Sequence, residues 1–201
     1  KRQYKALLQG IELDEYQAQG LTDSLVDWID GDTQLSGSNG AEDPDYQGLP
    51  KPYLAANSLL LDVSELRMIR GYSREVVRKL RPYVCVIPNE TALMINVNTL
   101  KEEQAALLTA VTEGKMSLQD AQSFLSNRPE AGYESNEEVD EVEAIANVKS
   151  ELNGELSELD VESEYFQLTA YIQWGDVEMK ARSVLHVNNG EVATLYRAMG
   201  E

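Results

Sequence analysis

Histidine and cysteine occur once each in these 201 residues, as His186 and Cys85. A single cysteine excludes an internal disulfide, and one imidazole and one thiol far apart in sequence exclude the usual zinc ligand sets. No second histidine is present to orient a nucleophile. Gly-x-Ser-x-Gly, a phosphate-cradling glycine loop and His-Glu-x-x-His are all missing as well. Cys85 lies among Val84, Val86 and Ile87 and is expected to be a buried apolar filler.

Positive charge is also scarce. Seventeen bases face 35 acids, a net charge of -18. A field of that sign repels phosphate backbones and anionic lipid and attracts divalent cations, so a nucleic-acid or membrane-surface role through bulk charge is disfavoured. Only residues 51–100 are basic, with seven bases and four acids. Long apolar runs are absent: nothing approaches the roughly 20 residues of a membrane span, and no signal-peptide order is seen. The chain begins with Lys1 where a gene product begins with Met, so a processed or truncated N-terminus is expected, together with any anchor that preceded it. A 42% hydrophobic fraction is ample for a packed core.

Two periods organise what is present. Leu7, Leu8 and Ile11, then Leu21, Leu25, Val26 and Ile29, recur at helical spacing and predict two helices, with Asp14 or Thr22 capping the second. Residues 31–52 read as a loop of about twenty residues, long for a compact domain. A helical hairpin follows, from Asp62 to Gly71 and from Ser73 to Leu80, with Ser64 as N-cap and Gly71 as C-cap. Thr99 is expected to open a helix through Val111, and Ser117 another through Leu125. Residues 130–143 carry seven acids and read as an exposed loop or weak helix.

Near residue 160 the period becomes two. Phe166, Leu168, Ala170, Ile172 and Trp174 alternate with polar or tyrosine positions, and Val177 to Val187 repeats the pattern after Gly175-Asp176. Asn188-Asn189-Gly190 turns into a third strand, Glu191 to Arg197. Such a meander is too small to be stable alone and must pack on a helix, part of which is expected to lie outside this chain. His186 falls on the polar face of its strand, the place of a surface or cross-strand residue.

The candidate chemistry lies where the second helix runs into the long loop. Asp30 and Asp32 flank Gly31, and Glu42, Asp43 and Asp45 stand at the far end. Hard oxygen ligands in a flexible loop suit calcium, which takes six to eight oxygens at roughly 2.3–2.6 Å. The EF-hand pattern fails, because counting from Asp30 the sixth position is Leu35 and the twelfth is Ala41. A solvated acidic loop is the competing reading. Two further functions stand as alternatives. One is a helix-hairpin-helix DNA-binding module built on Ile95-Asn96-Val97-Asn98-Thr99, and the other is a carboxylate-based glycan hydrolase.

Six segments in order carry a resemblance. They are Leu25 to Asp32, Gly40 to Asp43, Pro52 to Asn57, Ser64 to Arg67, Leu80 to Val84 and Asn96 to Thr99. Together they resemble the K-type minor pseudopilins of the bacterial type II secretion system. The resemblance implies an α+β fold, in which a mostly helical SAM-like or helix-hairpin-helix-like domain is inserted into a pilin-like core. The inserted domain would be residues 1–151, in subdomains of about 1–83 and 84–151, with 152–201 the returning antiparallel strands. It implies a structural, non-enzymatic role at the pseudopilus tip with the I and J minor pseudopilins. The setting would be the periplasm of a Gram-negative bacterium, with inner-membrane attachment only through the missing N-terminal helix. It also implies calcium, as one or two ions, with Asp30, Asp32, Glu42, Asp43 and Asp45 as ligands.

Overall fold

The computed structural model describes residues 1–154 and 156–200. The first helix, α1 (Arg2–Gly10), packs its Ala6, Leu7 and Leu8 inward. The second, α2 (Glu15–Ile29), starts where Asp14 accepts a hydrogen bond from the Gln17 amide, so the cap is Asp14. Thr22 lies inside that helix and returns its hydroxyl to the Ala18 carbonyl.

The long loop is not entirely irregular, because a short helix, α3 (Asp43–Gln47), forms within it with Pro44 in its first turn. The expected helix from Asp62 is instead a 3₁₀ segment, Val63–Met68. Its cap is Asp62, not Ser64: the Asp62 carboxylate accepts from the Ser64 amide, while Glu65 accepts from the Asp62 amide. Gly71 takes a positive φ of 87°, and Ser73 then caps α4 (Arg74–Leu80).

A short strand, β1 (Ile95–Asn96), follows, then a 3₁₀ turn and α5 (Ala106–Val111), α6 (Leu118–Ser126), α7 (Asn136–Glu141) and α8 (Glu143–Glu151). Ser117 caps α6 as its sequence predicts. Thr99 caps nothing; its hydroxyl turns back to the Asn96 carbonyl. The acidic stretch 130–143 is more ordered than a loop, because Val139, Ile145 and Val148 bury one face of α7 and α8. One pairing has no sequence signal: β1 runs parallel to β2 (Leu159–Asp160), with Ile95 opposite Leu159.

Two apolar cores result. The first gathers Leu8, Leu21, Trp28, Tyr46, Leu66 and Leu80, with Ala106 and Ala110 of α5. The second gathers Val97, Leu108, Met116, Phe124, Ile145 and Leu156. The helix α5 joins them, and α1 approaches it so closely that a Cβ on Gly10 would lie 3.2 Å from that of Ala106. The Asn96–Thr99 segment is a structural knot. The Asn98 side chain accepts from the Tyr133 amide and donates to its carbonyl, and Arg128 donates to the carbonyls of Val97 and Leu100. Groups so occupied are not free to grip a phosphate backbone.

The chain ends in the antiparallel meander β3 (Tyr165–Trp174), β4 (Val177–Asn188) and β5 (Glu191–Met199). Positive φ at Gly175, and at both Asn189 and Gly190, fits the two tight turns. His186 sits opposite Tyr165 and stacks on it at 4.7 Å between ring centroids, a cross-strand role. The face carrying Phe166, Leu168, Ile172 and Trp174 remains exposed, Trp174 at 85%. The other face meets the helical part through Arg182, which is ion-paired with Asp62 at 3.0 Å, and through the Tyr165 hydroxyl, which donates to Glu90 at 2.7 Å. Cys85 is exposed, not the buried filler its neighbours suggest, because residues 84–87 join no helix or sheet and its half-buried neighbours leave its side chain outward. Among the described residues no helix is long and apolar enough to cross a membrane.

Candidate metal centre

The helix α2 delivers two acids on one face, one turn apart, at Asp23 and Asp27, both buried. Asp30 closes the helix, its amide still bonded to the Val26 carbonyl, and the chain then leaves in an extended conformation. Asp32 folds its carboxylate onto the Gln34 amide at 2.7 Å. The loop returns through Ser36, whose amide donates to Asp27 Oδ1 at 2.8 Å, and through Gly40 to Glu42. Trp28, Tyr46 and Tyr53 stack edge-on or tilted, with centroids 5.2–6.3 Å apart, and anchor the loop to the end of the helix. The Asn57 amide closes the circuit on the Trp28 carbonyl at 2.9 Å.

Asp30, Asp32 and Glu42 each bring a carboxylate oxygen to within 4.8 Å of the others. Among the described residues the buried atoms Asp27 Oδ2, Asp30 Oδ1 and both carboxylate oxygens of Glu42 have no hydrogen-bond partner. A buried charge without a partner is costly, and an orphaned carboxylate pair more so. Burial raises the Asp30 carboxyl, with Asp32 and Asp27 pushing it further; burial likewise raises Glu42, assisted by Asp27, Asp30 and Asp32. Both shifts combine burial with the crowding of negative charge.

Glycine permits the crowding. A Cβ on Gly40 would fall 2.0 Å from Asp27 Oδ2, and one on Gly37 would fall 2.3 Å from Asp23 Oδ2. The loop backbone can therefore close over these acids only where it has no side chain. The oxygens are hard, anionic, several in number and without protons to share, a donor set that fits a calcium-like cation.

Of the five loop acids singled out from the sequence, the structure brings three together. Asp43 is turned aside, its Oδ1 accepting from the Ala55 amide at 2.9 Å. Asp45 faces Arg70 at 2.8 Å and accepts from the Glu42 amide at 3.2 Å. These two residues hold the shape of α3 and its entry. Asp27 belongs with the cluster and was hidden, because a helical aspartate between Val26 and Trp28 reads as a solvent position. Its signal was the spacing: Asp23, Asp27 and Asp30 fall at one-turn intervals on the face that meets the loop.

Two family models match the chain, both described as type II secretion system (T2SS), protein K, one over residues 1–89 and one over 95–162. Type II secretion system protein K of Aeromonas hydrophila is 41% identical over 181 residues, covering 90% of this chain and 54% of that protein. The Pectobacterium carotovorum protein of the same name is 34% identical over 197 residues, covering 98% and 59%. The chain thus spans a little over half the length of these relatives. Among solved structures, the GspK-GspI-GspJ complex from the enterotoxigenic Escherichia coli type 2 secretion system matches with a TM-score of 0.85 and 30% identity. That match covers all of this chain and 69% of that one. Fold and relatives define a class, the components of bacterial type II secretion systems. Within it, the chain belongs to the protein K family. Neither the DNA-binding nor the glycan-hydrolase alternative receives support from these matches.

Proposed function

We propose that this chain is the calcium-stapled helical part, with the last core strands, of a K-type minor pseudopilin. It would sit at the tip of the pseudopilus with the I and J minor pseudopilins and help to initiate or cap the filament that drives folded proteins outward. One observation carries this reading: backbone agreement over the whole chain with a protein K solved together with its I and J counterparts. The role is structural, and the setting is the periplasm of a Gram-negative cell. The exposed apolar face of β3–β5 supports a pilin-like core in which a long helix outside these residues covers the sheet. Residues 1–151 would then be inserted between core strands, and attachment to the inner membrane would run through that helix. Capture of the I and J proteins by the periplasmic domain tests the assignment. Failure to capture either, with both partners folded, overturns it.

Calcium fits the acidic cluster as a staple. Asp30, Asp32 and Glu42 would hold it, with Asp27 behind them, and a second ion remains open to titration. When bound, the ion supplies positive charge that offsets the carboxylate repulsion and gives the unpartnered oxygens a ligand. The chain's own residues do the rest: Gly37 and Gly40 let the loop close, and Trp28, Tyr46 and Tyr53 hold it down. Each ordered loop residue costs about 1–2 kcal/mol of backbone entropy, so a segment this poor in apolar side chains needs such a cross-link.

A further inference from the structure

Four cations of this acidic chain line a groove of about 810 Å³ between the helical part and the sheet. Arg67 and Arg81 approach it from the helical side, and Lys180 and Arg182 from β4. Arg182 is engaged by Asp62 and lies over the Tyr196 ring. No carboxylate lies within ion-pair distance of Arg67, Arg81 or Lys180 among the described residues, although the chain has twice as many acids as bases. Val84, Ile87, Val184 and Tyr196 supply the apolar part of its floor. Its volume falls within the roughly 300–1,000 Å³ of ligand-sized clefts.

One wall of this groove is the segment 84–87, which runs between two turns without helix or strand pairing. The amide groups of Val84, Cys85, Val86 and Ile87, and the carbonyls of Val84, Cys85 and Val86, have no hydrogen-bond partner among the described residues. An apolar segment with unpaired backbone groups is a template for an extended chain. Most of the lining sheet residues, including Gln167, Lys180, Arg182 and Tyr196, lie on the face opposite the exposed apolar stripe. A helix covering that stripe would leave the groove open.

We propose that this groove is a docking site for an extended, acidic segment of a partner protein. The segment lays its backbone along residues 84–87, its apolar side chains on the groove floor, and its carboxylates against Arg67, Arg81 and Lys180. A second copy of this chain is a poor occupant. Its charge of -18 opposes self-association, and its most acidic stretch is helical around Val139, which is buried. A small inorganic anion leaves most of the groove and its apolar floor unused.

Cys85 is the sole cysteine, is exposed and lines the groove, so its reaction with a thiol reagent reports occupancy. The probe is a synthetic peptide of alternating Glu and Val, with a Lys-Val peptide and inorganic phosphate as controls, on this chain and on the full-length gene product. At saturation the Glu-Val peptide is expected to slow Cys85 modification by about fivefold or more. Protection should weaken by about tenfold in 1 M salt, where screening shortens to ~3 Å. It should also weaken in an Arg81→Glu/Lys180→Glu variant of unchanged melting temperature. The proposal is overturned by no protection at millimolar peptide, by equal protection from Lys-Val peptide or phosphate, or by protection that follows chain concentration in the absence of peptide. Binding to the 201-residue chain but not to the full-length protein also overturns it, because another part of the same polypeptide then fills the groove. None of these outcomes depends on the calcium reading.

Discussion

Glu42→Gln is expected to change sign with calcium. Glu42 is 3% exposed, both its carboxylate oxygens lack partners, and Asp27, Asp30 and Asp32 all push on it. With the ion present, its charge is a ligand. An ion at a hundred times its Kd adds ~2.7 kcal/mol, and a chain of this size moves its Tm by ~2–4 °C per kcal/mol, so chelation of the parent should lower Tm by about 5–11 °C. The glutamine loses one anionic ligand and with it most of that gain, so in calcium the variant melts several degrees below the parent. In chelator the same substitution removes a repelling charge while keeping the side chain's shape, and the glutamine amide can donate to the aspartates. The variant should then melt above the parent by about 2–4 °C, equivalent to ~1 kcal/mol. Differential scanning calorimetry in calcium and in chelator measures both arms. A variant destabilised equally in the two buffers would refute the reasoning, because Glu42 would then be a packing residue and not a charge awaiting a cation.

Three further outcomes follow from the same geometry. In the metal-free chain the raised carboxyls of Asp30 and Glu42 each hold a proton more tightly in the folded than in the unfolded state. Their contribution to stability should therefore be fully present below the ordinary carboxylate range near ~4 and be lost as pH rises through the raised values. A chelator-treated sample whose Tm rises from pH 4 to 7 contradicts this, provided other carboxylates such as Asp62, which is held low, are removed by subtraction against a Glu42→Gln/Asp30→Asn control. Gly40→Ala places a Cβ 2.0 Å from Asp27 Oδ2 and should cost about 1–3 kcal/mol, the range of an overpacked core, readable by urea unfolding; a neutral result would mean the loop does not close as described. Asp45→Asn should leave calcium affinity within about threefold, a small fraction of the ~1.4 kcal/mol that marks a tenfold change, because Asp45 is turned to Arg70; Asp32→Asn should weaken it far more.

The strands were legible in the sequence because a period of two leaves little freedom: Phe166 to Trp174 and Val177 to Val187 share one register, and Gly175 and Asn189-Gly190 supply the positive φ their turns require. Helices with a side-chain cap and an apolar stripe were equally legible, as at Asp14, Ser73 and Ser117. What stayed hidden was decided by tertiary contact. Asp62 displaced Ser64 as a cap while its other oxygen took Arg182 from the sheet, a partner 120 residues away. The two-residue pairing of β1 with β2 is too short to show a period. Cys85 looked buried by its neighbours' character, yet the segment carrying it lies at the surface.

The acidic site divides in the same way. Asp30, Asp32 and Glu42 stand out in the sequence by lying in a glycine-rich loop, and the structure brings their carboxylates together. Composition was not enough to separate the acids that cluster from those that bond elsewhere. Asp43 and Asp45 lie beside Glu42 in sequence but spend their carboxylates on the Ala55 amide and on Arg70. Asp27 comes from a helix whose polar face would normally meet water, and only the returning loop, let in by Gly40, turns that face into an interior.

Calorimetric titration of the metal-stripped chain with calcium chloride, run beside an Asp30→Asn/Glu42→Gln variant, tests the central claim most directly. Saturable binding to the parent at one or two ions per chain is expected, with the loss of at least one of them in the variant. No binding by the folded parent, or an identical isotherm from the variant, would contradict it.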